Sequence, residues 1–188
     1  DAKWEKASRL VPWDPTYSAL AAESVLKIAE PLESDENVSD KDIRELNTLA
    51  IDYLKDTIQA APNDPWFNQN LATLLLKEDT QAAEAYAKQA VLLSPRNDRN
   101  YTYYTLGMIF LAQSKQEQAV ASFVLEALAN PIFLTTDIWE QLPFSALKAD
   151  VLKQSLEGYQ QILSETKPAS LKYSWLNNQL RLIAWWHD

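Results

Sequence analysis

Apolar residues recur at helical spacing along the chain, and prolines cut the pattern into segments of similar length. Between Pro143 and Glu165 they fall at Leu147, Val151, Leu152, Leu156, Tyr159, Ile162 and Leu163. Pro168 interrupts, and the period resumes at Leu171, Trp175, Leu176, Leu180, Ile183 and Ala184. Both runs predict helices. Upstream the same grammar repeats in shorter form. Phe123 stands eight residues before Pro131, Ala87 eight before Pro95, Leu54 eight before Pro62 and Trp4 eight before Pro12. Ala119, Ala83 and Ala50 each precede the corresponding residue by four. Each such set reads as a helix that ends at its proline, because proline lacks an amide hydrogen and disfavours helical backbone before it. The pattern predicts an all-α chain.

The segments between helices echo one another. Pro12-Trp13-Asp14-Pro15 and Pro62-Asn63-Asp64-Pro65 both place an aspartate where it can cap a helix and a proline at the first helical position. Leu20-Ala21 and Leu71-Ala72 follow at equivalent distances, as Leu106-Gly107 does in the next segment. Ser114 and Glu117 have the spacing of a capping box and are expected to open the helix that contains Ala119. Ser39 with Asp42 is expected to cap another. Glu30 to Asp42 carries six acids and one lysine, and is expected to bulge out as a mobile acidic turn. Ile132 to Trp139 reads as a connector with a short helical turn capped by Asp137 and Glu140.

The stretch from Asn100 to Pro131 contains Tyr103-x2-Leu106-Gly107-x2-Phe110, then Ala119-x3-Phe123, then Pro131. These residues and spacings resemble the tetratricopeptide repeat (TPR). The resemblance implies a right-handed helical solenoid of antiparallel helix pairs, each pair burying its apolar stripe against the next. Gly107 and Ala119 would let the two helices of a pair approach, and Phe110 and Phe123 would fill the space between layers. Successive prolines are 50, 33 and 36 residues apart, against a repeat length of about 34. The expected organisation is therefore TPR-like repeats over 1–131: a partial unit 1–12, an elongated unit 14–62, a compact unit 65–95 and the best-formed unit 98–131. Residues 132–188 would supply C-terminal capping helices.

Composition narrows the chemistry. The chain has 188 residues and only two glycines, Gly107 and Gly158, against roughly 13 at average usage. Phosphate-cradling loops, dinucleotide fingerprints and folds rich in tight hairpin turns need more. There is no cysteine and one histidine, His187, which removes thiolate metal sites, cysteine nucleophiles and a histidine triad. The net charge is −9, so binding to nucleic acid through phosphate neutralisation is disfavoured. No apolar run reaches the ~18–20 residues of a membrane span. The start at Asp1-Ala2-Lys3-Trp4 reads as the start of an excised piece. Asp35, Asn37 and Ser39 alternate as in a calcium loop, but Asp40 and Leu46 replace the required Gly and Glu, and a solvated acidic loop explains the same residues. No metal site, no catalytic residue and no cofactor is expected.

By the resemblance, positions 2, 5, 9 and 12 of a unit line a concave groove. They are Trp66, Gln69, Thr73 and Leu76 in the compact unit, and Tyr101, Tyr104, Met108 and Leu111 in the best-formed one. An aromatic and apolar groove of this kind accepts a peptide or helix. The same rings could instead cover the C-terminal helices. Repeats that grip a C-terminal carboxylate use Gly-Asn-x-x-Phe, whereas Gly107-Met108-Ile109-Phe110 lacks the Asn. Lys88, Arg96 and Arg99 form a small basic spot.

Ala129-Asn130-Pro131 through Trp139, following a repeat, is similar to the soluble TPR-bearing tails of bacterial membrane proteins of the O-antigen ligase/polymerase class. That similarity implies a non-catalytic protein-interaction scaffold linked to envelope polysaccharide assembly, at the extracytoplasmic face of a bacterial membrane. Trp185 and Trp186 would then be suited to a membrane interface. The alternatives are a cytoplasmic location and a glycan- or lipid-sensing accessory domain.

Overall fold

The computed structural model describes residues 2–33, 35, 37–94 and 101–165. Among them are eight α-helices, two short 3-10 turns and no strand. The chain forms two compact units, Asp1–Pro95 and Arg96–Asp188. The expected helix over 171–186, the boundary at Pro95 and the arginines of the basic spot lie outside the described residues.

The first unit comprises α1 (Ala2–Leu10), α2 (Pro15–Leu32), α3 (Asp40–Ala60), α4 (Pro65–Leu75) and α5 (Thr80–Leu93). The side chains of Asp14 and Asp64 cap α2 and α4 by accepting from the backbone N–H groups of Thr16 (3.0 Å) and Trp66 (2.8 Å). Ser39 accepts from the Asp42 N–H and donates its hydroxyl to the Asp42 carboxylate, as its spacing predicts. Helices α1 and α3 stop just before Pro12 and Pro62. Much of the extra length of the elongated unit is helix. Helices α2 and α3 run 18 and 21 residues and take in the two ends of the acidic segment, residues 30–32 and 40–42, with Pro31 accommodated in the last turn of α2; a turn lies between them.

The strongest packing joins α2 to α3 and α4 to α5; α1 packs on α2, and α3 on α4. The core is built from small residues. Ala21, Ala22, Ala29, Ala50, Ala72, Ala83, Ala87 and Ala90 are buried, which allows close helix approach. Ile51, Leu54 and Leu71 fill the space between them.

The second unit comprises α6 (Thr102–Ala112), α7 (Gln116–Ala129), two 3-10 turns (Pro131–Thr135 and Asp137–Glu140) and α8 (Phe144–Glu165). A Cβ on Gly107 would clash with the Phe123 ring, so α6 and α7 meet where the Leu-Gly motif predicts. Ser114 and Glu117 do not form a capping box. Helix α7 starts after Lys115 without a side-chain cap. Ser114 instead adopts left-handed backbone, φ 60°. The Ser114 N–H donates to the Leu111 carbonyl (2.9 Å) and the Lys115 N–H to the Phe110 carbonyl (2.8 Å). This is a Schellman motif closing α6, and the Lys115 ammonium lies 5.6 Å from the Phe110 ring centroid. The connector also differs from expectation. Neither Asp137 nor Glu140 caps its turn; Thr136 precedes it without a side-chain cap, and Glu140 pairs with Lys148 at 3.0 Å.

Candidate functional site

In the first unit, α2 and α4 border an apolar groove of about 360 Å³. From α2 come Ala19, Ala22, Glu23 and Leu26; from α4 come Trp66, Asn70, Thr73 and Leu74; Leu54 of α3 completes the lining. The α2 residues are spaced i, i+3, i+4, i+7 and the α4 residues i, i+4, i+7, i+8, so each helix contributes one face about two turns long. The Asp64 cap and Pro65 start α4 one residue before Trp66, which sets that ring at the mouth. Trp66 is 53% exposed and rests edge-on against Phe67, with centroids 5.4 Å apart.

Two of the expected groove residues in this unit, Trp66 and Thr73, line it. Gln69 and Leu76 do not; Asn70 and Leu74 take their place, one and two positions away along the chain. Only Glu23 is charged in the lining, and it pairs with Lys27 one turn on at 2.6 Å.

A larger cleft of about 680 Å³ lies among α1, α3 and the start of α2, lined by Ser8, Arg9, Trp13, Ser18, Asp56 and Gln59 among others. Trp13 is 73% exposed. In the sequence it reads as a linker residue between two prolines, and its neighbours Asp56 and Gln59 are more than forty positions distant, so nothing local marks this cleft.

The second unit treats its four expected groove residues differently. The Tyr104 ring lies against Phe123, Phe133 and Phe144, at centroid distances of 6.1, 5.7 and 6.3 Å. Met108 and Leu111 also pack on this core. Burial raises the Tyr104 phenol above its ordinary value. Tyr101 is 42% exposed and meets Tyr104 edge-on at 6.2 Å. The segment after Pro131 produces this cover. Phe133, Leu134 and Trp139 are buried, and the Trp139 indole N–H donates to the Phe133 carbonyl at 2.9 Å. Tyr159 of α8 donates its hydroxyl to the Ala127 carbonyl at 2.6 Å.

Sequence reasoning missed Glu126. It sits in α7, fully buried, and its Oε2 accepts from the Tyr104 backbone N–H at 3.2 Å. Tyr101, the residue before α6, has φ 57° and supplies no side-chain cap. Glu126 thus caps α6 from the neighbouring helix. Burial pushes its carboxyl up to about 7; the backbone N–H groups of Tyr104, Tyr103 and Tyr101 act in the opposite direction. Its Oε1 is buried and has no hydrogen-bond partner among the described residues.

In the acidic turn, the Asp35 carboxylate accepts from both the backbone and the side-chain N–H of Asn37. These bonds hold its carboxyl below the usual carboxylate range. Among the described residues, no group of three or more His, Asp or Glu is placed to hold a metal ion. None of the described helices is long and apolar enough to cross a membrane. No protein-family model matches the chain, and comparison with curated protein sequences finds no match.

Proposed function

We propose that this chain is a non-catalytic scaffold of the tetratricopeptide kind that holds a peptide or partner helix between α2 and α4. The observation that carries the reading is the apolar groove bordered by matching two-turn faces of those helices and closed by Leu54. Other features support it. Helices α4 and α5, and α6 and α7, pack together although only four and three residues connect them, as antiparallel neighbours would. The repeated Asp-Pro caps and the Gly107–Phe123 contact recur where a helix-pair repeat needs them. A volume of about 360 Å³ is at the lower end for binding pockets, suited to two or three anchoring side chains of a longer ligand.

The test is selection of short peptides against the full chain, followed by affinity measurement on variants. Trp66→Ala and Thr73→Arg are expected to weaken selected peptides at least tenfold with little change in melting temperature. Peptides indifferent to both substitutions would contradict the reading. A second reading, glycan sensing, is favoured by one observation: exposed Trp13 beside Arg9, Asp56 and Gln59 offers a stacking surface and planar polar groups. Titration of oligosaccharides monitored by tryptophan fluorescence tests it, and a response that survives Trp13→Ala would count against it. The bacterial envelope setting belongs to the proposal through the similarity of Ala129–Trp139 alone; membrane-spanning segments encoded upstream of Asp1 would support it.

A further inference from the structure

The charge of the chain is unevenly divided. Residues 1–95 carry 17 Asp and Glu against nine Lys and Arg, whereas residues 96–188 carry nine against eight. The unit that contains the α2–α4 groove therefore holds nearly all of the net charge of −9. The groove wall itself is apolar, and α4 has no charged residue from Pro65 to Leu75. Glu23 at the groove has Lys27 as its ion-pair partner, and both side chains are largely exposed. An exposed i,i+4 pair of this kind is weak, so a ligand cation can replace Lys27 at little cost.

We infer that the groove between α2 and α4 takes an amphipathic helical segment of a protein partner, with two or three apolar anchors flanked by Lys or Arg. This rests on the scaffold reading above and specifies its partner. The paired faces of α2 and α4 are each about 10 Å long, which matches anchors at i, i+3 or i+4, and i+7 on a partner helix. The apolar lining selects the anchors. The net negative charge of the unit favours cationic flanks and speeds encounter. An acidic amphipathic helix would bring its carboxylates to a unit already in excess of them.

The probes are three synthetic peptides of one length: Leu and Lys at amphipathic helical spacing, the same peptide with Glu for Lys, and the same with Ser for Leu. Each is titrated against the full chain at 0.1 M and 1 M NaCl by fluorescence anisotropy. The Leu/Lys peptide is expected to bind at least tenfold tighter than the Leu/Glu peptide at 0.1 M salt. The gap should narrow at 1 M, where the Debye length falls from about 10 Å to about 3 Å. Thr73→Arg should weaken the Leu/Lys peptide at least fivefold. Equal affinity for the Leu/Lys and Leu/Glu peptides, with both sensitive to Thr73→Arg, would overturn the charge preference and leave the groove standing. Tight binding of the Ser/Lys peptide would overturn the inference by reducing it to attraction between polyions. Binding indifferent to Thr73→Arg would overturn the placement, and selected peptides that are also indifferent would remove the scaffold reading with it.

Discussion

Replacing Glu126 by Gln should make the protein more stable at pH 8 and change little at pH 5. Glu126 is fully buried, and its carboxyl titrates near 7 in the fold against an ordinary value near 4.5. The folded chain keeps a proton that the unfolded chain has lost between those two pH values. The stability tied to this group is therefore complete below pH 4.5 and is lost as pH rises through 7. The difference between the two values corresponds to about 3 kcal/mol. Glutamine retains an oxygen for the Tyr104 N–H but cannot ionise, so it stands in for the protonated acid. Urea unfolding of both proteins from pH 5 to pH 8.5 measures the effect, and the difference between them isolates this site from the other carboxylates. The variant should match the parent within about 1 kcal/mol at pH 5 and exceed it by about 2–3 kcal/mol at pH 8. Glu126→Ala should be less stable than either at pH 5 by about 2–4 kcal/mol, since it leaves a void and orphans the first turn of α6. A pH-independent difference between parent and Glu126→Gln would refute the reasoning.

Further substitutions probe the packing. Gly107→Ala drives a methyl into the Phe123 ring and should cost about 1–3 kcal/mol in chemical denaturation, with Phe123→Leu in the same chain recovering part of the loss. Tyr104→Ala removes a ring packed on three other aromatic residues and should cost about 3 kcal/mol, whereas Tyr101→Ala, half-exposed, should cost under about 1 kcal/mol; equal melting temperatures for the two variants would contradict the placement of Tyr104. Ser114→Gly relieves left-handed backbone at the end of α6 and should raise stability by up to about 1 kcal/mol, read as a higher denaturation midpoint.

Local signals in the chain carried the helix boundaries. Asp14 and Asp64 before prolines, and Ser39 with Asp42, cap where their spacing says, because capping involves neighbours in sequence. Close helix approach at Gly107 was legible from its Leu-Gly motif, but that the Phe123 ring is what meets it was not. The groove was legible only to within a residue or two. A helical period identifies a face, but its rotation depends on the neighbouring helix, and Asn70 and Leu74 line the groove where Gln69 and Leu76 were expected. For Tyr104 the sequence left two outcomes open, groove or cover for the C-terminal segment; the second holds, and the choice depends on Phe133 and Phe144 returning over α6 from about thirty to forty positions away. Glu126 carried no warning at all. A glutamate in a helix is nearly always solvated, and this one is buried because the start of α6 lacks a cap of its own.

The chain has no native cysteine, which permits a direct measurement of groove occupancy. A single cysteine at Thr73, inside the groove, and one at Leu92, 79% exposed on α5, can each be alkylated with and without a saturating amount of a selected peptide. The peptide should slow alkylation at position 73 at least fivefold and leave position 92 unchanged. Equal rates at position 73 with and without bound peptide would contradict the claim that α2 and α4 form the binding surface.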